Sequence, residues 1–137
     1  MRYPIVIHKD EHSDYGVVVP DLPGCFSAGT TLDEAIENAK EAIECHLEGL
    51  LLDGEPIPEP GTVEDHAGNP EHAGGVWSVV EVDLTRLGGR TRRVNITLPE
   101  GVLALIDRAA RAAGESRSGF LARAALEAVT RSRGKAA

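Results

Sequence analysis

One short alternating strand followed by two short helices cannot close a hydrophobic core alone, and the C-terminal part of this chain reads that way. In RRVNITLP (92–99), Val94, Ile96 and Leu98 alternate with the polar Arg93, Asn95 and Thr97. Pro99 suits the start of a helix, Val102, Leu105, Ile106, Ala109, Ala110 and Ala113 mark its apolar face, and Gly114 stops it. Ser116 or Ser118 caps a second helix, with Leu121, Ala124, Ala125, Ala128 and Val129 on one side. The tail RSRGKAA (131–137) reads as frayed. A second copy is the natural remedy. Two strands pair across a two-fold axis into an antiparallel ribbon, and four helices close beneath it. The expected dimer core is Val94, Ile96, Leu98, Val102, Ile106 and Leu121.

Charge sharpens this reading. Residues 1–85 hold three basic residues and eighteen acidic ones, or −15, whereas residues 86–137 hold eleven basic and four acidic, or +7; together they give the net −8 of the chain. Such a split predicts two modules with different partners, 1–85 and 86–137, the second beginning with a linker RLGGRTRR (86–93). The basic module suits a polyanion and the acidic one a basic protein. A two-stranded ribbon fits the DNA major groove, where Arg pairs with guanine, Asn with adenine and Thr meets thymine. Arg93, Asn95 and Thr97 are therefore the expected base contacts. Arg92 and the helix start Ser116, Arg117 and Ser118 are the expected phosphate contacts.

The acidic module reads β-β-β-α-β, an α+β arrangement. YPIVIHKD (3–10), YGVVVPDL (15–22) and GCFSAGT (24–30) read as strands of an antiparallel meander. Thr31 and Glu34 fit a capping box, in which Glu34 reaches back to the Thr31 backbone. Leu32, Ala35, Ile36, Ala39, Ile43, Leu47, Leu50 and Leu51 then form a helical apolar stripe, ended by Gly54 and the prolines 56, 58 and 60. Glu37, Glu41, Glu44 and Glu48 form its acidic face. Residues 61–75 read as a Gly-rich loop, and VWSVVEVDL (76–84) as a fourth strand rich in β-branched residues.

Two resemblances follow from these residues. Residues 91–130 resemble the ribbon-helix-helix family of DNA-binding proteins, through the strand alternation of RRVNITLP, the helix VLALIDRAARAAG and the capping ESRS. Residues 3–85 resemble HicB antitoxins, through Pro-Asp-Leu-Pro-Gly-Cys (20–25), the Gly-x-Thr step at 29–31 and Glu-Ala-x-x-Asn-Ala (34–39). The second resemblance implies a partial ribonuclease-H-like fold without nuclease activity. It also implies binding to HicA, a small basic toxin that cleaves mRNA, and repression of the chain's own operon. Glu37, Glu41, Glu44 and Glu48 are the face to test for the toxin. The alternative is an orphan HicB-like regulator that binds DNA but no toxin.

Other chemistry finds less support. Ribonuclease H chemistry needs carboxylates converging on divalent ions, and Asp10, Asp14, Asp21, Asp33 and Asp83 are scattered along the sequence. His66 and His72 share the Gly-rich loop, and Cys45 and His46 are adjacent on the helix, but no usual zinc spacing occurs. No metal, cofactor or catalytic residue is expected. Cys25 and Cys45 are too few for a disulfide framework and read as reduced, partly buried thiols. Short apolar runs and an N-terminus unlike a signal peptide make a cytoplasmic protein the expectation. A homodimer through the second module is expected, and a tetramer if the acidic modules also pair.

Overall fold

The computed structural model describes residues 1–136, with side chains as far as Arg131. Four strands form one antiparallel sheet in the order β3-β2-β1-β4. They are β1 (Arg2–His8), β2 (Tyr15–Val18), β3 (Phe26–Gly29) and β4 (Val76–Glu81). Helix α1 (Leu32–Leu52) packs across one face. The long central strand β1 holds β2 through Val6 opposite Val18, and β4 through Val6 opposite Trp77.

Each strand is shorter than the segment that the sequence marks for it. β2 stops at Val18 because Pro20 carries no N–H and the chain turns through it. Leu22 N donates to Val19 O, and Cys25 N donates to Leu22 O. The meander therefore holds, with β4 added on the far side of β1. β4 ends at Glu81, and Leu84–Arg86 form a single 3-10 turn capped by Asp83, where a strand to 84 was expected.

The core lies between sheet and helix. Tyr3, Ile5 and Ile7 alternate along β1 and meet Ala35, Ala39, Ile43 and Leu47 on α1. Gly29 fixes how closely they approach, since a Cβ there would collide with the Ala35 backbone. Tyr3 is fully buried, its hydroxyl donating to Pro58 O at 2.7 Å. Burial, with the nearby Asp21 charge, pushes that phenol well above its ordinary pKa.

α1 is capped by Thr31, whose hydroxyl accepts from Glu34 N at 3.1 Å. The reciprocal half of the expected capping box does not form. Glu34 instead accepts from the Thr30 hydroxyl at 2.8 Å, a stronger donor within reach. The helix ends as its glycine predicts: Gly54 sits at φ 69° and Glu55 N returns to Leu50 O.

The expected loop 61–75 is more ordered than its composition suggests. It contains helix α2 (Val63–Ala67) and a 3-10 turn at Pro70–His72. Thr62 and Asp65 make a complete capping box at α2. The segment lies over the second face of the sheet, with His66 stacked on Trp77 and His72 edge-on to it. Val6 on that face is fully buried.

Beyond the sheet come α3 (Glu100–Ala112) and α4 (Arg117–Ala136), so the backbone remains helical where a frayed tail was expected. Gly114 at φ 68° makes the turn between them, and Ser116, not Ser118, caps α4 by accepting from Gly119 N at 3.1 Å. Among the described residues no helix is long and apolar enough to cross a membrane.

Candidate nucleic-acid and partner interfaces

The expected strand at 94–98 does not exist in the single chain. Residues 91–99 belong to no strand or helix, and every residue from Gly88 to Thr97 is exposed. The alternation is present, but no neighbouring strand of the same chain accepts its hydrogen bonds. Val94 is 70% exposed and Ile96 62%, with Leu98 half-buried. On the helices, Leu105 is 60% exposed, Val129 54% and Val102 42%, while Ile106 and Leu121 are half-buried. The six side chains expected to form a dimer core are thus uncovered or half-covered by their own chain.

α4 explains part of this. The face it buries is not the alanine-rich face read from the sequence. Gly119, Arg123, Leu126 and Thr130 recur at helical spacing and turn toward the first module. Leu126 packs on the main core. Thr130 is buried, and its hydroxyl donates to Leu126 O at 2.8 Å. A cleft of about 510 Å³ lies between this face and residues 81–85. The predicted face, with Ala125, Ala128 and Val129 exposed, points away from the core. Sequence reasoning missed the docking face because three of its four residues are polar or glycine.

The cations divide into two kinds. Arg123 is engaged on both edges of its guanidinium: Glu115 accepts from Nε at 3.0 Å and lies 2.8 Å from Nη2, and Glu127 accepts from Nη1 at 3.0 Å. Arg117 is engaged on one edge, donating from Nε and Nη2 to the two oxygens of Asp107 at 2.8 and 2.9 Å. These bonds hold the Asp107 carboxyl below the usual carboxylate range, with Arg111 adding to the effect. Arg92, Arg93, Asn95, Thr97, Ser116 and Ser118 are all exposed. The chain brings Ser116, Arg117 and Ser118 together at the start of α4.

On the acidic module, Glu37 and Glu41 are exposed and Glu44 and Glu48 half-buried along one side of α1. None of the four makes an ion pair among the described residues. Several residues of the sequence motifs serve the fold. Asn38 donates to Ala28 O at 2.9 Å, tying α1 to the edge strand β3. Asp21 accepts from Gly61 N at 3.0 Å and lies 2.9 Å from His66 Nε2, fastening the ordered loop to the β2–β3 turn. Asp83 accepts from the Thr85 amide and hydroxyl. Among the described residues no three His, Cys, Asp or Glu side chains converge as metal ligands would. Cys25 is buried, and burial raises its thiol pKa, while Cys45 is exposed rather than partly buried.

Comparison with known proteins accords with this layout. A family model described as "HicB_like antitoxin of bacterial toxin-antitoxin system" matches residues 3–125. A 14.9 kDa protein encoded in the rep-hol intergenic region of Haemophilus phage HP1 is 46% identical over 127 residues, 91% of this chain and 95% of that protein. The crystal structure of the Burkholderia pseudomallei antitoxin HicB superposes with a TM-score of 0.85 at 49% identity, over 94% of this chain and 98% of that one. A chain of the HicA3 and HicB3 toxin–antitoxin complex superposes with a TM-score of 0.52 at 36% identity, over 61% of this chain and 99% of that one.

Proposed function

This chain belongs to the HicB-like antitoxin family of bacterial toxin–antitoxin systems, and from that premise we propose that it is a two-part antitoxin and autorepressor. Residues 1–85 bind and mask a small, basic, mRNA-cleaving toxin of the HicA type. Residues 86–137 dimerise as a ribbon-helix-helix module and bind operator DNA. The β-β-β-α-β order supports a partial ribonuclease-H-like fold for the first module, to which we assign binding and no catalysis.

One observation carries the reading. An acidic segment with a buried core is joined to a basic segment with no comparable core, whose Val94, Ile96 and Leu105 are left open by their own chain. Large apolar side chains exposed together, beside cations, mark an unfinished interface. A second copy finishes it by pairing the two 94–98 segments. Val94, Ile96 and Leu98 then turn inward, and Arg93, Asn95 and Thr97 turn toward the major groove. The leading amides of α4, with Ser116, Arg117 and Ser118, face phosphate. The acidic module favours fast association with a basic toxin, and the unpaired row Glu37, Glu41, Glu44 and Glu48 supports a contact there.

The test has two arms. The small reading frame beside this gene is induced alone and then with this chain; growth arrest relieved by co-expression supports masking. Binding to the upstream region is then compared for the wild type and Asn95→Ala. A loss of about 1–3 kcal/mol with relaxed sequence preference is expected. Unchanged operator affinity would overturn the strand assignment. DNA binding with no toxic neighbour would make the chain an orphan regulator.

A further inference from the structure

We propose that Asp107 is a positioning residue for Arg117, holding that guanidinium with one edge open to receive a backbone phosphate of double-stranded DNA. The inference rests on the DNA-binding reading above and adds a residue which that reading does not contain.

A guanidinium offers five N–H donors in a planar fork with two bidentate edges. Arg117 spends one edge on Asp107, through Nε and Nη2. Both Nη1 hydrogens and one on Nη2 remain, and one from each nitrogen forms the second edge. The Arg117 side chain is 56% exposed against 26% for Asp107, so the carboxylate lies on the inner side and the free edge faces outward. Arg123 is the internal contrast, since Glu115 and Glu127 occupy both of its edges. Two arginines near the start of one helix are thus treated differently. One is closed by two carboxylates and lines the cleft facing residues 81–85; the other is oriented by one carboxylate and left open.

The neighbourhood fits a phosphate. Ser116 caps α4 through Gly119 N, and Phe120 N returns to Ser116 O. The leading amides of Arg117 and Ser118 have no carbonyl four residues earlier within α4 to bond. A long arginine side chain in water samples many rotamers, and a bidentate carboxylate removes that freedom before the ligand arrives. Asp107 adds a negative charge near the phosphate, which opposes binding. Its charge is directed into the fork rather than toward solvent, and the ordering effect prevails.

The full-length chain is titrated into a fluorescent 30-base-pair duplex from upstream of its own gene, and into a scrambled duplex of equal composition. Arg117→Ala is expected to weaken binding about tenfold on both duplexes, because phosphates carry no sequence information. Asp107→Asn should weaken both about fivefold, near the upper end for a well-formed exposed pair. Asp107→Glu, which keeps both acceptor oxygens, should recover most of the loss. In an Arg117→Ala background, Asp107→Asn should cost nothing more, which a merely structural role would not produce. Tighter binding by Asp107→Asn would overturn the proposal in favour of a competing carboxylate. Equal losses with and without Arg117 would overturn it in favour of a folding role. Failure of the wild type to bind either duplex would overturn the DNA reading itself, and with it the proposal. That result differs from DNA binding that ignores Asp107.

Discussion

Ile43 and Leu105 are both apolar, both helical and both on stripes of the same period, yet Ile43 is fully buried and Leu105 is 60% exposed. The difference lies in what the chain supplies opposite each stripe. α1 has a four-stranded sheet to cover it. α3 has α4, which covers Ala110 but turns its Leu126 face toward the first module and leaves Val102 and Leu105 open. The first module closes a continuous core within one chain, although Phe26, Leu52 and Val76 stay exposed on its surface. The second leaves Val94, Ile96, Leu105 and Val129 uncovered, the surface that the dimer proposed above would cover.

The comparison can be broken most forcefully in the core. Ile43→Ala should cost about 2–5 kcal/mol of unfolding free energy, read from denaturant melts, because no rearrangement fills the space beneath the sheet. A cost near zero would mean that the first module is not the self-contained unit it looks like. Asp21→Ala should cost about 1–3 kcal/mol, since it strands the Gly61 amide and releases His66. Leu105→Ser should change stability at high dilution by less than about 0.5 kcal/mol. The same substitution should shift the chain from dimer to monomer in light scattering at higher concentration. If the two readouts move together, the exposed stripe is not an interface.

The finest test is acid titration. Asp107 has a depressed pKa in the folded chain, so its contribution is complete above the ordinary carboxylate range and is lost only as pH falls through its own lower value. The carboxyl resonance of Asp107 should therefore titrate below that range. In Arg117→Ala it should move back up toward it, while Asp83, held down chiefly by the Thr85 hydroxyl, should not move.

Much of the first module is legible from residue order alone. Period-2 alternation places Tyr3, Ile5 and Ile7 on one face, and period 3.6 places Ala35, Ala39, Ile43 and Leu47 against them. The Thr62–Asp65 capping spacing also signals α2, hidden only by the glycines around it. The docking of α4 was not legible. Its key residues, Gly119, Arg123 and Thr130, carry no hydrophobic signal, and Leu126 lies off the predicted stripe. The Arg117–Asp107 and Arg123–Glu115 pairs join residues ten and eight positions apart across a turn, a distance that no helical spacing encodes. For residues 94–98 the alternation is readable, but the segment forms no strand within the described chain; the pairing that would make it one is the dimer proposed above.

If the 94–98 segments pair as proposed, the exposed run after β4 would tie the lifetime of the protein to its assembly. Gly88 and Gly89 both hold φ near +90°, a conformation that a side chain would resist, and Arg90, Arg92 and Arg93 follow in the open. Irregular, exposed backbone is where proteases cut first. Paired strands would shield the bonds after Arg92 and Arg93 but leave Arg90 outside the ribbon. Trypsin sensitivity at those bonds would then count the monomers in a population. A cut at Arg90 would part an acidic fragment from a basic one, so that the two halves age at different rates.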